Sequence, residues 1–367
     1  MVVADSRGIS LGTALFSPSS QIALRLLTEE VLTERTQCLS LLKTRLRSAI
    51  VQRQEMLFAQ RGRTDACRLV FSEADQLPGL IIDKYGELLI VQLLARALDA
   101  PDVRGMIVDG LREILDPAAI VERPDPRIAE LEGMTARGEA ILYAANPEQP
   151  LTSTIFQLNG LRFHYDVKAG QKTGAFLDQR ENYEAAARYA HGEALDVCTY
   201  QGGFALHLAQ SCSSVTGVDA SRAALEVAET NLALNREALG EVPVDWMEAN
   251  AFDLLRDWSA AGPAYDTVVL DPPAFAKSKK AAEGALRGYK ELNLRALKLL
   301  RPGGILVTCS CSHHVSPAEF SAVVAAAAAD AHRRVRLLER RGASGDHPVI
   351  LTIPETEYLK CLICEVE

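Results

Sequence analysis

A chain of 367 residues, 48% hydrophobic and 24% charged, has the balance of a globular protein with room for two or three domains. Its net charge of −9, from 39 Lys and Arg against 48 Asp and Glu, excludes a protein that grips nucleic acid through a generally basic surface, so an RNA substrate would need a local basic patch. The most apolar run, Ala322–Ala329, is too short to cross a bilayer, no signal-peptide pattern opens the chain, and the eight cysteines lack disulfide-scaffold spacing; a cytoplasmic protein with reduced thiols and no membrane partner is expected.

Residues 1–27 are short, polar and turn-rich, and their apolar island Gly12-Thr13-Ala14-Leu15-Phe16 suggests a strand pair too small to bury its own core. Residues 28–65 read as a helical linker, with Leu39, Leu41, Leu42, Leu46 and Ile50 recurring at near-helical spacing. Residues 66–160 suggest a small α+β domain: strands at Leu69–Phe71, Leu80–Ile82 and Leu88–Leu94, a turn at Tyr85-Gly86, and a helix over Val103–Leu115. Its Pro-, Glu- and Gly-rich stretch 123–160 reads as a connection or surface hairpin. From about residue 192, within a last domain spanning 161–367, strands and helices alternate, which implies βαβ units and a parallel sheet. Strands are expected at Ala194–Val197, Val215–Val218, Val244–Met247, Thr267–Leu270 and Ile305–Thr308, with helices over Arg222–Leu239, Ala285–Leu300 and 317–331. Val335–Glu339 and Tyr358–Val366 complete seven strands with a late hairpin, an α/β arrangement of the Rossmann-like, class I methyltransferase kind.

Ligands of open α/β sheets bind at the carboxyl ends of the strands. The first strand ends near Asp196 and runs into Cys198-Thr199-Tyr200-Gln201-Gly202-Gly203-Phe204, where two glycines let the backbone turn sharply and approach a ligand. A Gly-Gly turn alone is ordinary turn chemistry, and it does not spell the dinucleotide G-x-G-x-x-G. Asp219, 23 residues after Asp196, ends the second strand, where a carboxylate can accept hydrogen bonds from both ribose hydroxyls of an adenosine cofactor. Asn250 follows the third strand, where an acidic residue would usually hold the adenine amino group; its carbonyl can accept the same bond. Asn231 and Asn235 read as surface or cap residues. The combined pattern points to S-adenosylmethionine.

Asp271-Pro272-Pro273-Ala274-Phe275 closes the fourth strand, its prolines fixing the backbone outward and Phe275 offering a stacking face. The fifth strand ends in Thr308-Cys309-Ser310-Cys311-Ser312-His313-His314. Carbon 5 of a pyrimidine is too weak a nucleophile to take a methyl group directly, but a thiolate adding at carbon 6 makes it enamine-like. Such a thiol needs a depressed pKa or a neighbouring base, for which His313 and His314 are candidates. Cys361 and Cys364 form a lone CxxC in an apolar run and read as core residues; no metal site is expected.

With these motifs the chain resembles the ribosomal RNA large-subunit cytosine-5 methyltransferases that carry an N-terminal PUA RNA-binding domain. The resemblance covers almost the whole chain and rests on Gly174-Ala175-Phe176-Leu177-Asp178-Gln179-Arg180-Glu181-Asn182, Gly202-Gly203-Phe204, Asp271 to Phe275 with Lys277-Ser278-Lys279-Lys280, Ser310-Cys311-Ser312, and Glu355 to Lys360. It implies that Cys311 is the nucleophile, with Cys309 as runner-up because Thr308-Cys309-Ser310 spells the motif of a sister family. It further implies that Asp271 holds the flipped base by its Watson–Crick edge, that the segment around Phe176 and Asp178 caps the cofactor, and that ribosomal RNA is the substrate. Residues 1–27 resemble only the later part of the PUA domain, a truncated remnant, and Asn250 departs from the usual acid.

Pro272, Pro273, Phe275, Lys277, Lys279 and Lys280 are the candidate substrate contacts, whereas Arg333, Arg334 and Arg336 read as a solvated face. Three rivals stand beside this reading: transfer to a guanine nitrogen, which needs no cysteine; a catalytically idle RNA- or partner-binding protein of the same fold; and a small-molecule methyltransferase. The sequence leaves a homodimer open.

Overall fold

The computed structural model describes residues 1–60, 62–135, 137–168, 174–276 and 279–367. They form two compact units, the first made of Met1–Gly160, His164–Leu177 and Asp346–Ile353, the second of Leu161–Phe163, Asp178–Gly345 and Pro354–Glu367. No helix among the described residues is long and apolar enough to cross a membrane.

In the first unit, β1 (Val2–Ala4), β2 (Ser10–Phe16) and β3 (Leu24–Thr28) form an antiparallel sheet of three strands rather than a pair. Helix α1 (Arg35–Ala59) opens on a capping box in which the Gln37 side chain accepts from the Glu34 N–H at 3.1 Å. It buries Leu42, Leu46, Ala49 and Ile50 in one core with the strands that follow. These are β4 (Ala66–Phe71), β5 (Leu80–Tyr85), β6 (Leu88–Leu93), α2 (Pro101–Leu115), β7 (Ala119–Glu122), α3 (Pro126–Glu132) and β8 (Ala140–Ala144), with the sheet in the order β4-β5-β6-β7-β8. The stretch read as a connection or surface hairpin supplies an edge strand, one arm of a hairpin and a short helix capped by Asp125, which accepts from the Arg127 and Ile128 N–H groups. A hairpin of β9 (Ser153–Leu158) and β10 (Leu161–Asp166) turns at Asn159-Gly160 and carries the chain onward.

The second unit contains α4 (Arg180–Tyr189), β11 (Glu193–Val197), α5 (Gly203–Leu208), β12 (Ser214–Asp219), α6 (Arg222–Leu239), β13 (Val244–Glu248), α7 (Ala251–Ala261), β14 (Tyr265–Leu270), α8 (Ala282–Leu299), β15 (Leu300–Ser310), α9 (Pro317–Asp330), β16 (Val335–Arg341) and β17 (Lys360–Val366). Its sheet runs β13-β12-β11-β14-β15-β17-β16, five strands parallel and the last hairpin antiparallel. The order reverses between β11 and β14, which opens the crevice that such sheets use for ligands. The central strands are buried on both faces, which explains their near-continuous Val, Leu and Ile. Gly217 sits opposite Trp246 on β13 because a Cβ there would lie 2.5 Å from the indole.

Helix α9 starts at a Ser316/Glu319 capping box with Pro317 in its first turn, and packs Phe320 edge-on against Tyr289 of α8, centroids 5.4 Å apart. Of the arginines read as a solvated face, Arg334 and Arg336 are exposed and Arg333 is partly buried. Arg333 donates to the carbonyls of Leu297 and Leu300 at the end of α8, and Arg334 and Arg336 pair with Glu367. Cys361 and Cys364 are buried in β17. Phe320 is fully buried, so Phe320→Ala should lower unfolding free energy by roughly 3–5 kcal/mol in urea titration; an unchanged midpoint would contradict this packing.

Candidate active site

Strand β11 delivers Asp196 fully buried to the crevice. Its Oδ2 accepts from the Thr199 hydroxyl at 2.5 Å and the Ala205 N–H at 2.9 Å, while Oδ1 has no partner among the described residues. Burial, with a contribution from the Asp219 charge, raises its pKa to about 7 against those two bonds. The following turn takes positive φ at Cys198, Tyr200 and Gly202. A Cβ on Gly202 would lie 2.9 Å from Trp246, and one on Gly203 2.6 Å from the Tyr183 ring, so neither glycine tolerates a side chain.

Asn231 and Asn235 correct the sequence expectation, for both are buried. Asn231 donates to the Gln201 carbonyl at 3.0 Å, bracing the glycine turn, and Asn235 donates to the Arg162 carbonyl at 2.7 Å while accepting the Arg162 N–H. Partly buried backbone carbonyls need donors, and these amides supply them. Asp219 accepts the N–H groups of Tyr200 and Ser221, one on each oxygen at 2.9 Å, and stays partly exposed. Asn250 is the N-cap of α7, its Oδ1 accepting from Phe252 at 2.9 Å and Asp253 at 3.3 Å, a task that by itself explains an amide here.

Asp271 begins the Pro-Pro loop, its N–H donating to the Val197 carbonyl at 3.2 Å. A chain of polar side chains the sequence left without a role holds its carboxyl. Gln179 Nε2 donates to Asp271 Oδ1 at 2.9 Å, Asn182 Nδ2 donates to Gln179 Oε1 at 2.7 Å, and Arg341 Nε donates to Asn182 Oδ1 at 2.9 Å. Asp178 accepts from the Tyr358 hydroxyl at 2.5 Å, and its carbonyl takes the Ser344 N–H. Burial first, then the charges of Asp178 and Asp196, push the Asp271 pKa up to about 8, with the Gln179 bond acting the other way. Phe176, partly buried, belongs to the first unit.

Cys311 follows the end of β15 and is partly exposed, its Sγ 3.9 Å from the Pro272 carbonyl. The next residue ties the two loops together: Ser312 Oγ accepts the Ala276 N–H at 3.2 Å and lies 2.9 Å from the Tyr289 hydroxyl. Pro272 is buried and Pro273 exposed, while Phe275 packs on Tyr289 and Phe252, its ring still partly exposed. Cys309 is fully buried opposite Cys361, and burial raises its thiol well above the ordinary value, so the geometry favours Cys311 over Cys309 for chemistry at the surface of the crevice. His313 is exposed and stacks on Tyr358 at 5.2 Å, and His314 is exposed. Lys360, which sequence reading gave no task, is buried and donates to the Ser312 carbonyl at 2.7 Å and the Tyr358 carbonyl at 2.8 Å. Lys277 and the side chain of Lys279 lie outside the described residues; Lys280 is exposed.

Because Asp271 binds its proton more tightly folded (about 8) than unfolded (ordinary value 3.8), the folded state carries an extra proton between those values, and stability falls as pH rises through that window. Asp271→Asn should therefore melt increasingly above wild type as pH rises from 4 to 9. A difference independent of pH would contradict the raised pKa.

Residues 143–350 match the S-adenosylmethionine-dependent methyltransferase family. The ribosomal RNA large subunit methyltransferase I of Photobacterium profundum is 37% identical, covering 100% of this chain and 89% of its own. That of Shewanella frigidimarina is 38% identical over 97% and 87%. In structure, a proposed SAM-dependent methyltransferase from Streptococcus mutans superposes with a TM-score of 0.81 at 19% identity over 98% of this chain and 89% of that one, a likeness of fold. The match over more than half the chain, and relatives of this identity over nearly its full length, agree with the strand order and the glycine turn. The chain belongs to the S-adenosylmethionine-dependent methyltransferase family, alongside the ribosomal RNA large subunit methyltransferases I, and its cofactor is S-adenosylmethionine.

Proposed function

We propose that this enzyme methylates carbon 5 of a cytosine in ribosomal RNA, with Cys311 as nucleophile and Asp271 as the group that holds the base. The observation that carries this reading is the convergence of a partly exposed thiol and a carboxyl held by Gln179 on two loops joined through Ser312.

The turn fits an adenosine cofactor, because the fully buried Asp196 at its start keeps Oδ1 without a partner among the described residues and Asp219 stands partly exposed beside it. Asp219 would take the ribose hydroxyls with the remaining lone pairs of its carboxylate, Asn250 the adenine, and Asp178 and Asp196 the rest of the cofactor. When bound, S-adenosylmethionine supplies a methyl group made electrophilic by its sulfonium.

The chain's own residues do the rest. The Cys311 thiolate adds to carbon 6 of the ring and carbon 5 becomes nucleophilic. Gln179 donates to Oδ1 of Asp271, which leaves Oδ2 to carry the proton. A neutral carboxylic acid donates to N3 of cytosine and accepts from its N4 amino group, a match that uracil, with its N3–H and O4, does not offer. Proton transfer from Asp271 to N3 accompanies thiolate addition; after methylation water takes the carbon 5 proton, the electron pair left behind expels Cys311 as thiolate, and N3 returns its proton to Asp271. Extruding the base costs a few kcal/mol, less from a loop or single strand. Pro272, Pro273 and Phe275 would border the base, and Lys277, Lys279 and Lys280 would meet the RNA backbone.

Transfer of labelled methyl to unmodified ribosomal RNA should yield 5-methylcytidine by nucleoside mass spectrometry, and Cys311→Ala should reduce it to background while Cys309→Ala retains it. A methylated guanosine, or full transfer by Cys311→Ala, would overturn the proposal. Gly203→Ala should weaken S-adenosylmethionine binding about tenfold in calorimetry, as overpacking costs of 1–3 kcal/mol imply; unchanged affinity would remove the turn from the cofactor site.

A further inference from the structure

A lysine is almost never fully buried without a charge to answer it. Lys360 is 4% exposed, and among the described residues no carboxylate forms an ion pair with it. Two of its three N–H donors are fixed on the carbonyls of Ser312 and Tyr358. The first of these belongs to the residue that follows Cys311, and the position is built into the sheet. Lys360 opens β17 directly opposite Ser310, the residue that precedes Cys311.

We propose that Lys360 is the positioning residue of the nucleophile, its buried ammonium pinned beside Cys311 so that the sulfur is held as a thiolate. This inference rests on the reading of Cys311 as the attacking group. The proton leaves the thiol to solvent, and the sulfur keeps the electron pair against the fixed positive charge.

The charges that face Lys360 are those of Cys311 at the end of β15, Glu357 just before β17, and Glu319 on α9. Both glutamates are exposed, and Glu319 is engaged in the cap of α9, where it accepts from the Ser316 N–H and hydroxyl. Water screens them, which leaves the Cys311 sulfur as the charge that answers the ammonium from inside the protein. From α8, Tyr289 faces Cys311, but burial raises its phenol pKa, so it stays neutral and does not compete. Burial lowers the Lys360 pKa to about 8, and the Cys311 charge opposes that fall. The coupling is reciprocal: an ammonium stabilised by the thiolate stabilises the thiolate equally. His313 is exposed and stacks on Tyr358, and His314 is exposed.

The test is alkylation of the full-length protein by iodoacetamide across pH, read at the Cys311 peptide by mass spectrometry, with folding checked by circular dichroism at each pH. Wild type should show a midpoint below the ordinary thiol value of about 8.5. Lys360→Met, which keeps the apolar stem, should raise that midpoint by about one pH unit and slow alkylation at pH 7 about tenfold. Lys360→Arg, which keeps the charge, should stay close to wild type. A midpoint in Lys360→Met equal to that of wild type would overturn the proposal. If Lys360→Met does not fold, a wild-type midpoint at or above about 8.5 overturns it, and one below it, retained in Lys360→Arg, upholds it. The readout involves no methyl transfer, so a failure here is separate from a failure of Cys311 as nucleophile, which full transfer by Cys311→Ala would reveal.

Discussion

Everything at this site depends on the register of three neighbouring strands, two of which end here while the third begins. Leu270 of β14 pairs with Thr308 of β15, and Ser310 of β15 pairs with Lys360 of β17. That register brings the residues just beyond each pair, Asp271 and Cys311, to one edge of the sheet, with Lys360 alongside. A slip of one residue in either pairing would turn the side chains of a whole strand to the opposite face. The core fixes the register: Leu270, Leu306, Leu362 and Cys364 are buried in one cluster with the apolar faces of α8 and α9.

The second constraint is electrostatic. Burial raises Asp196 and Asp271 to about 7 and 8, with the charge of Asp219 adding at the first and those of Asp178 and Asp196 at the second. A cluster of this kind would be destabilising if every member had to ionise, so two of the carboxyls keep protons near neutral pH. The same crowding makes Asp271 able to donate a hydrogen bond, which an ordinary aspartate cannot do at that pH. The buried ammonium of Lys360 answers the negative charge expected at Cys311, a residue 49 positions away in sequence but one hydrogen-bonded neighbour away in the sheet.

Much of this was legible in the sequence. Helix α6 was read at its observed bounds, Arg222–Leu239, where Ser221 caps it and Gly240 ends it. The central parallel strands were legible because their buried stretches, such as Thr267–Leu270 and Ile305–Val307, are largely apolar. What the sequence hid was which polar residues are buried. Gln179 and Asn182 lay inside a quoted motif, yet their partners, Asp271 and Arg341, stand 92 and 159 residues away. Asn231 and Asn235 looked like surface positions because an asparagine on a helix usually is one, while here the first bonds the backbone of the glycine turn and the second that of β10. Lys360 was hidden for the same reason, since only the folded sheet shows that its stem is enclosed and its head faces two carbonyls. Asn250 was noticed as a departure from an expected acid, and the structure gives it an independent task in capping α7.

The central claim is that the Cys311 sulfur bonds to the pyrimidine ring. The most direct measurement uses a ribosomal RNA fragment carrying 5-fluorocytidine, with S-adenosylmethionine present. Fluorine in place of the carbon 5 proton blocks the elimination that would release the enzyme. The account predicts a denaturation-resistant protein–RNA adduct whose crosslinked peptide carries the nucleotide on Cys311. An adduct on Cys309, or none while unmodified cytidine is still methylated, would contradict it.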